Sequence, residues 1–123
     1  MAASTTLSNS LIFATFFCVA EFASATTSVA CPDQQRVGSK IAPLTTADVF
    51  QGPPDKHASM IPDLETSEWQ LAGYQENSKA RGESLYLVCR YKGTKSTVTI
   101  RIPESATSCK VAGARHGTAA ECH

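Results

Sequence analysis

The sequence predicts a mainly β protein: a small antiparallel β-meander of four to five strands with long loops, preceded by a helical signal peptide. Three observations carry that expectation. An apolar run at 11–20 (LIFATFFCVA) near the start is followed by Ala23-Ser24-Ala25, small residues spaced like a signal-peptidase site. Two stretches at 84–92 (SLYLVCRYK) and 96–102 (STVTIRI) alternate apolar and polar residues with period two around a Lys-Gly-Thr-Lys turn. Four cysteines, Cys31, Cys89, Cys109 and Cys122, lie beyond the apolar run, an even number in a short exported chain.

Cleavage after Ala25 divides the chain into a signal peptide, residues 1–25, and a single small disulfide-stabilised β domain, residues 26–123. Cys18 leaves with the signal. The apolar run is too short to span a bilayer as a mature helix, and no later segment approaches the necessary length. A second reading cuts before Cys31, after Ser28-Val29-Ala30, as in a lipoprotein. Ser28, where a bulky aliphatic residue is usual, and Pro32 directly after the cysteine count against it. The expected location is the periplasm or the extracellular medium, where disulfides persist. A domain this small buries a modest core, so its disulfides should contribute much of its stability.

Along the mature chain, residues 26–40 are polar and read as an extended leading segment. Residues 45–50 (TTADVF) are rich in β-formers, and Gln51-Gly52-Pro53-Pro54-Asp55 stops them, since proline lacks the amide donor a central strand needs. This turn should hold Phe50 in the core. Residues 56–68 read as an ordered loop, because Pro62 interrupts the helical spacing of Ala58, Met60, Ile61 and Leu64. Alternation at 69–74 (WQLAGY) places Trp69 and Leu71 on one strand face, and 75–82 reads as a polar connection. In the next strand Leu85, Leu87, Cys89 and Tyr91 share one face, with Tyr86, Val88 and Arg90 opposite. Its hairpin partner turns Val98, Ile100 and Ile102 inward. Pro103 ends the hairpin, and 108–111 forms one more strand. Cys89, among the leucines, points inward, and Cys109 begins a nearby strand. Cys89–Cys109 is therefore the favoured pairing, leaving Cys31–Cys122 to tie the termini, although three connectivities remain open.

Several of these pieces recur, in order, as a pattern: Ala30-Cys31-Pro32, Phe50-Gln51-Gly52-Pro53-Pro54, Met60-Ile61-Pro62-Asp63, Trp69, Tyr86-Leu87-Val88-Cys89-Arg90-Tyr91 and the late Cys109. In this order they resemble an uncharacterised family of small exported bacterial proteins. The resemblance implies compartment and architecture and brings no activity with it.

The chemistry-bearing residues favour binding over catalysis. His57, His116 and His123 come without a CxxC pair or an HExxH helix, so no metal and no cofactor are expected. No nucleophile sits in a recognisable elbow and no Gly-rich turn follows a strand, so the chain is not expected to be an enzyme. Net charge is zero, yet acidic residues predominate in the first part of the mature chain and basic residues from Lys79 onward. The basic residues are dispersed and without a nucleic-acid-binding motif, which argues against a nucleic-acid partner.

What remains is a non-enzymatic β domain, expected as a monomer, that binds an envelope component or a protein partner. Its candidate surface is the rigid turn Gly52, Pro53, Pro54 and Asp55 together with Tyr86, Arg90 and Arg101 of the hairpin's solvated face. Tyr86 is the aromatic expected to be exposed. The alternative is a periplasmic inhibitor of a lysozyme-like hydrolase. Asp48, Asp55, Asp63, Glu65 and Glu68 would complement such a basic target.

Overall fold

A computed structural model describes residues 28–114 and 117–123. The signal segment 1–25, its cleavage site and His116 lie outside the described residues. Strands dominate, all paired antiparallel and divided between two sheets. The first sheet follows the order β2 (Gln34–Val37), β3 (Lys40–Gln51), β6 (Leu85–Tyr91), β7 (Thr97–Arg101), with β4 (Ser59–Met60) also paired to β3. The second follows the order β1 (Val29–Ala30), β9 (Gly117–Cys122), β8 (Ser108–Ala114), β5 (Glu68–Gln70). One helix, α1 (Ala72–Ala80), and a 3-10 turn (Pro54–Lys56) complete the described elements. Among the described residues no helix is long and apolar enough to cross a membrane.

The predicted hairpin is present in the expected register, with Leu87 opposite Ile100 and Cys89 opposite Val98. Its inward face is buried at Leu85, Leu87, Cys89 and Tyr91. The longest strand, β3, reverses its inward phase midway. Ala42 and Leu44 are buried before the irregularity, Ala47 and Val49 after it. The cause is a bulge: Leu44 pairs with Tyr91 but Thr46 pairs with Arg90, leaving Thr45 as an extra residue. The Thr45 hydroxyl donates to the Arg90 carbonyl at 3.1 Å, across the strands at the bulge. The core joins these side chains to Trp69, Leu71, Ile102, Ala106 and Ala120. Trp69 is buried, and its indole N–H donates to the Met60 carbonyl at 3.0 Å, so the ring is packed while its one polar atom is satisfied.

Four sequence expectations are corrected. The leading segment is not merely extended: 34–37 forms β2 and turns back on β3, with Val37 opposite Lys40. Residues 72–74, read as the end of a strand, and 75–82, read as a loop, are instead α1 and its end, the strand stopping at Gln70. The residues this helix turns inward are Leu71, Gln75 and Ser78, so its inner face is largely polar and has no apolar stripe to read. Gln75 Nε2 donates to the carbonyls of Pro103 and Ala106 at 2.9 and 3.2 Å, and Gln51 Nε2 donates to the Ser78 hydroxyl at 3.3 Å. Hydrogen bonds here take the place of apolar packing. The helix stops at Gly82, whose φ of +66° is the left-handed conformation of a C-terminal cap.

The third correction is β9, and it forces the fourth. Residues 117–122 form a strand against β8, placing Cys122 directly opposite Cys109. These two are bonded, and Cys31 is bonded to Cys89. The favoured pairing of Cys89 with Cys109 is therefore wrong. Cys89 points inward from the first sheet, whereas Cys109 lies in the second between Trp69 of β5 and Cys122 of β9. Cys31 is tied to the second sheet by its N–H on the Ala120 carbonyl at 2.8 Å, so its disulfide to β6 staples one sheet to the other.

Candidate functional site

The proposed surface residues come from β3, β6, β7 and the loop joining β3 to β4. Alternation sends Val49 and Leu87 to the core and their neighbours to the other face. Phe50, Tyr86 and Arg101 then stand in one cross-strand row, Asp48, Val88 and Thr99 in the next, and Thr46, Arg90 and Thr97 in the third. Phe50 and Val88 are buried but stand outside the main core cluster, so Phe50 is packed on the face opposite the one expected. Arg90 Nε reaches Asp48 Oδ2 at 2.5 Å, with both side chains about half-exposed. Such an ion pair orders the face more than it stabilises the fold. Arg101 is exposed and Tyr86 half-buried. Tyr74, on α1, is the tyrosine exposed most.

The turn abuts the end of this face. Gly52 is buried with φ +77°, and its N–H donates to the Ser84 carbonyl at 2.8 Å, just beyond Leu85 at the start of β6. A left-handed conformation at a buried position accounts for glycine there. Pro53 and Pro54 lead into the 3-10 turn, closed by Lys56 N–H on the Pro53 carbonyl at 3.0 Å and His57 N–H on the Pro54 carbonyl at 3.1 Å. Pro53 and Asp55 are exposed and Pro54 is half-buried. The structure thus brings the two halves of the expected surface together: Phe50 precedes the turn by two residues, and Tyr86 follows the Ser84 anchor by two.

The arrangement offers a mixed surface of aromatic, cationic and carboxylate groups. His57 is exposed in the turn, and His123 lies 3.0 Å from Glu121 at the far end of β9. Among the described residues no group of three or more His, Cys, Asp or Glu could hold a metal ion. The Tyr91 hydroxyl is pushed above its ordinary pKa by burial and, secondarily, by the Asp33 carboxylate; it donates to the Pro32 carbonyl at 2.8 Å.

A second exposed feature was missed from sequence. Ile61 is 85% and Leu64 87% exposed, on the turn between β4 and β5. Their spacing with Ala58 and Met60 is visible in the sequence as a broken helical pattern, but nothing in it says which of them face water.

A family model described as Type VI secretion system Tli immunity protein matches residues 35–123. No curated protein and no solved structure matches the chain.

Proposed function

The chain belongs to the Type VI secretion system Tli immunity protein family, and from that membership we propose that it is exported and binds a type VI effector outside the cytoplasm, blocking it without catalysis. The family match carries this reading, and the architecture supports it. Both disulfides suit an oxidising compartment, and the periplasm is where the protein would act. Antagonism by binding needs a rigid complementary surface and no reaction centre. A stapled pair of sheets supplies the rigidity, which reduces the entropy lost on docking. Of the two partner classes expected from sequence, membership favours a protein over an envelope component.

The contact surface includes the 52–55 turn and the Tyr86, Arg90 and Arg101 face. In the narrower reading the effector is a lysozyme-like hydrolase. Residues 26–78 carry seven Asp or Glu against three Lys or Arg, and these carboxylates, rather than Arg90 and Arg101 of the hairpin, would complement a basic partner of that kind.

The test uses the mature, disulfide-bonded protein and each type VI effector encoded in the same genome. A stoichiometric complex by size-exclusion chromatography, together with loss of the effector's toxicity on periplasmic co-expression, is expected. No complex with any of them at micromolar concentration would overturn the reading. Glycan-cleaving and lipid-cleaving assays of the captured effector decide the narrower form: an effector without muramidase activity removes the lysozyme-like reading alone.

A further inference from the structure

We propose that the 61–67 turn, with Tyr74 beside it, seats in the effector and receives a patch in which an apolar side chain lies next to lysine or arginine. The inference rests on the effector-binding reading above and adds to it the element that makes the contact and the chemistry it recognises.

Ile61 and Leu64 are almost fully in water, and Tyr74 is 45% exposed. Two of these three sit on one short turn, the kind of clustered apolar exposure that marks an interaction site. The turn itself is well ordered. Asp63 N–H donates to the Glu68 carbonyl at 2.9 Å, Ser67 N–H to the Asp63 carbonyl at 2.8 Å, and Glu65 N–H to Asp63 Oδ1 at 2.9 Å. Val111 N–H fixes the turn to β8 through the Ser67 carbonyl at 3.1 Å. The apolar side chains are therefore displayed by a preorganised backbone, which little ordering would penalise on binding. A groove of about 210 Å³ is lined by Ile61 and Tyr74 together with Met60, Trp69, Asp63 and Glu68.

Charge specifies the occupant. Between His57 and Ser78 the sequence has no lysine or arginine and carries Asp63, Glu65, Glu68 and Glu76. The nearest cation by strand pairing is Lys110, opposite Glu68, and it is flanked on its other side by Glu121. Among the described residues none of Asp63, Glu65 and Glu68 is in an ion pair. An apolar protrusion in a negative field excludes an anionic lipid surface and fits a protein surface that is apolar and basic.

Three proteins decide it: wild type, Ile61→Asp/Leu64→Asp, and Glu65→Lys. All three positions are exposed, so unchanged melting temperatures are expected. Affinity for the effector identified above is measured by calorimetry at low and high salt. The double variant should bind about 30-fold or more weakly, the loss typical of removing a central anchor. Glu65→Lys should weaken binding about 5-fold at low salt and less at high salt, as charge screening requires. Wild-type affinity in both variants would overturn the inference and leave effector binding standing. A wild-type protein that binds no effector would overturn both. If instead the wild type self-associates through this turn, and the double variant dissociates without losing effector affinity, the surface is a self-interface and the inference falls.

Discussion

Removing the Cys31–Cys89 bond should destabilise the protein more than removing Cys109–Cys122, although the four sulfurs are equally buried. Replacing either pair with alanine leaves small cavities of similar size, since all four cysteines are at most 6% exposed, so the packing losses nearly cancel. The difference comes from the chain each bond closes. Cys31 and Cys89 are 58 residues apart, Cys109 and Cys122 only 13. Loop-closure entropy assigns the longer loop about 4 kcal/mol and the shorter about 3 kcal/mol. Against a net stability of about 5–15 kcal/mol, loss of the inter-sheet bond is a large fraction. It should lower the melting temperature by about 15–30 °C. The single tryptophan, Trp69, is 4% exposed in the core and reports unfolding in guanidinium by its emission. Cys31→Ala/Cys89→Ala should show the lower midpoint with a comparable slope. A midpoint equal to or above that of Cys109→Ala/Cys122→Ala would refute the argument that the long crossing loop dominates.

Two further expectations concern the backbone and pH. Gly52→Ala should cost about 1–2 kcal/mol, measurable as a shift in denaturation midpoint. The added Cβ would meet Glu83 Oε2 at an ordinary 3.5 Å, so the cost lies in holding alanine at φ +77°. Tyr91 makes stability fall at alkaline pH. Its folded pKa is raised, so folded and unfolded chains bind the same proton below about pH 10, and only above it does the unfolded state gain by ionising. Tyr91→Phe should flatten that alkaline decline while losing about 1 kcal/mol at neutral pH with the hydrogen bond to Pro32. An identical pH profile in the variant would show that other groups govern the decline.

Local chemistry wrote the mainly β class, the β6–β7 hairpin and the stop at Gly52-Pro53-Pro54 into the sequence. Period-two alternation and missing amide donors act within a few residues, and they were read correctly. The 52–55 turn adjoins Tyr86, Arg90 and Arg101 because the turn hangs on the end of β3 and those side chains on the face of its neighbours. Long-range contacts decided the rest. The inner face of α1 is Leu71, Gln75 and Ser78, whose fit depends on carbonyls of Pro103 and Ala106 some thirty residues away and on Gln51. The bulge at Thr45 shifts the phase of β3 through pairing with β6, which no periodicity in β3 alone reveals. Disulfide partners follow from which strands lie beside one another, and β9, whose small residues carry little pattern, set Cys122 beside Cys109. Exposure of Ile61 and Leu64 was equally a tertiary outcome: hydrophobicity is a property of the side chain, but burial depends on whether a neighbouring element arrives to cover it.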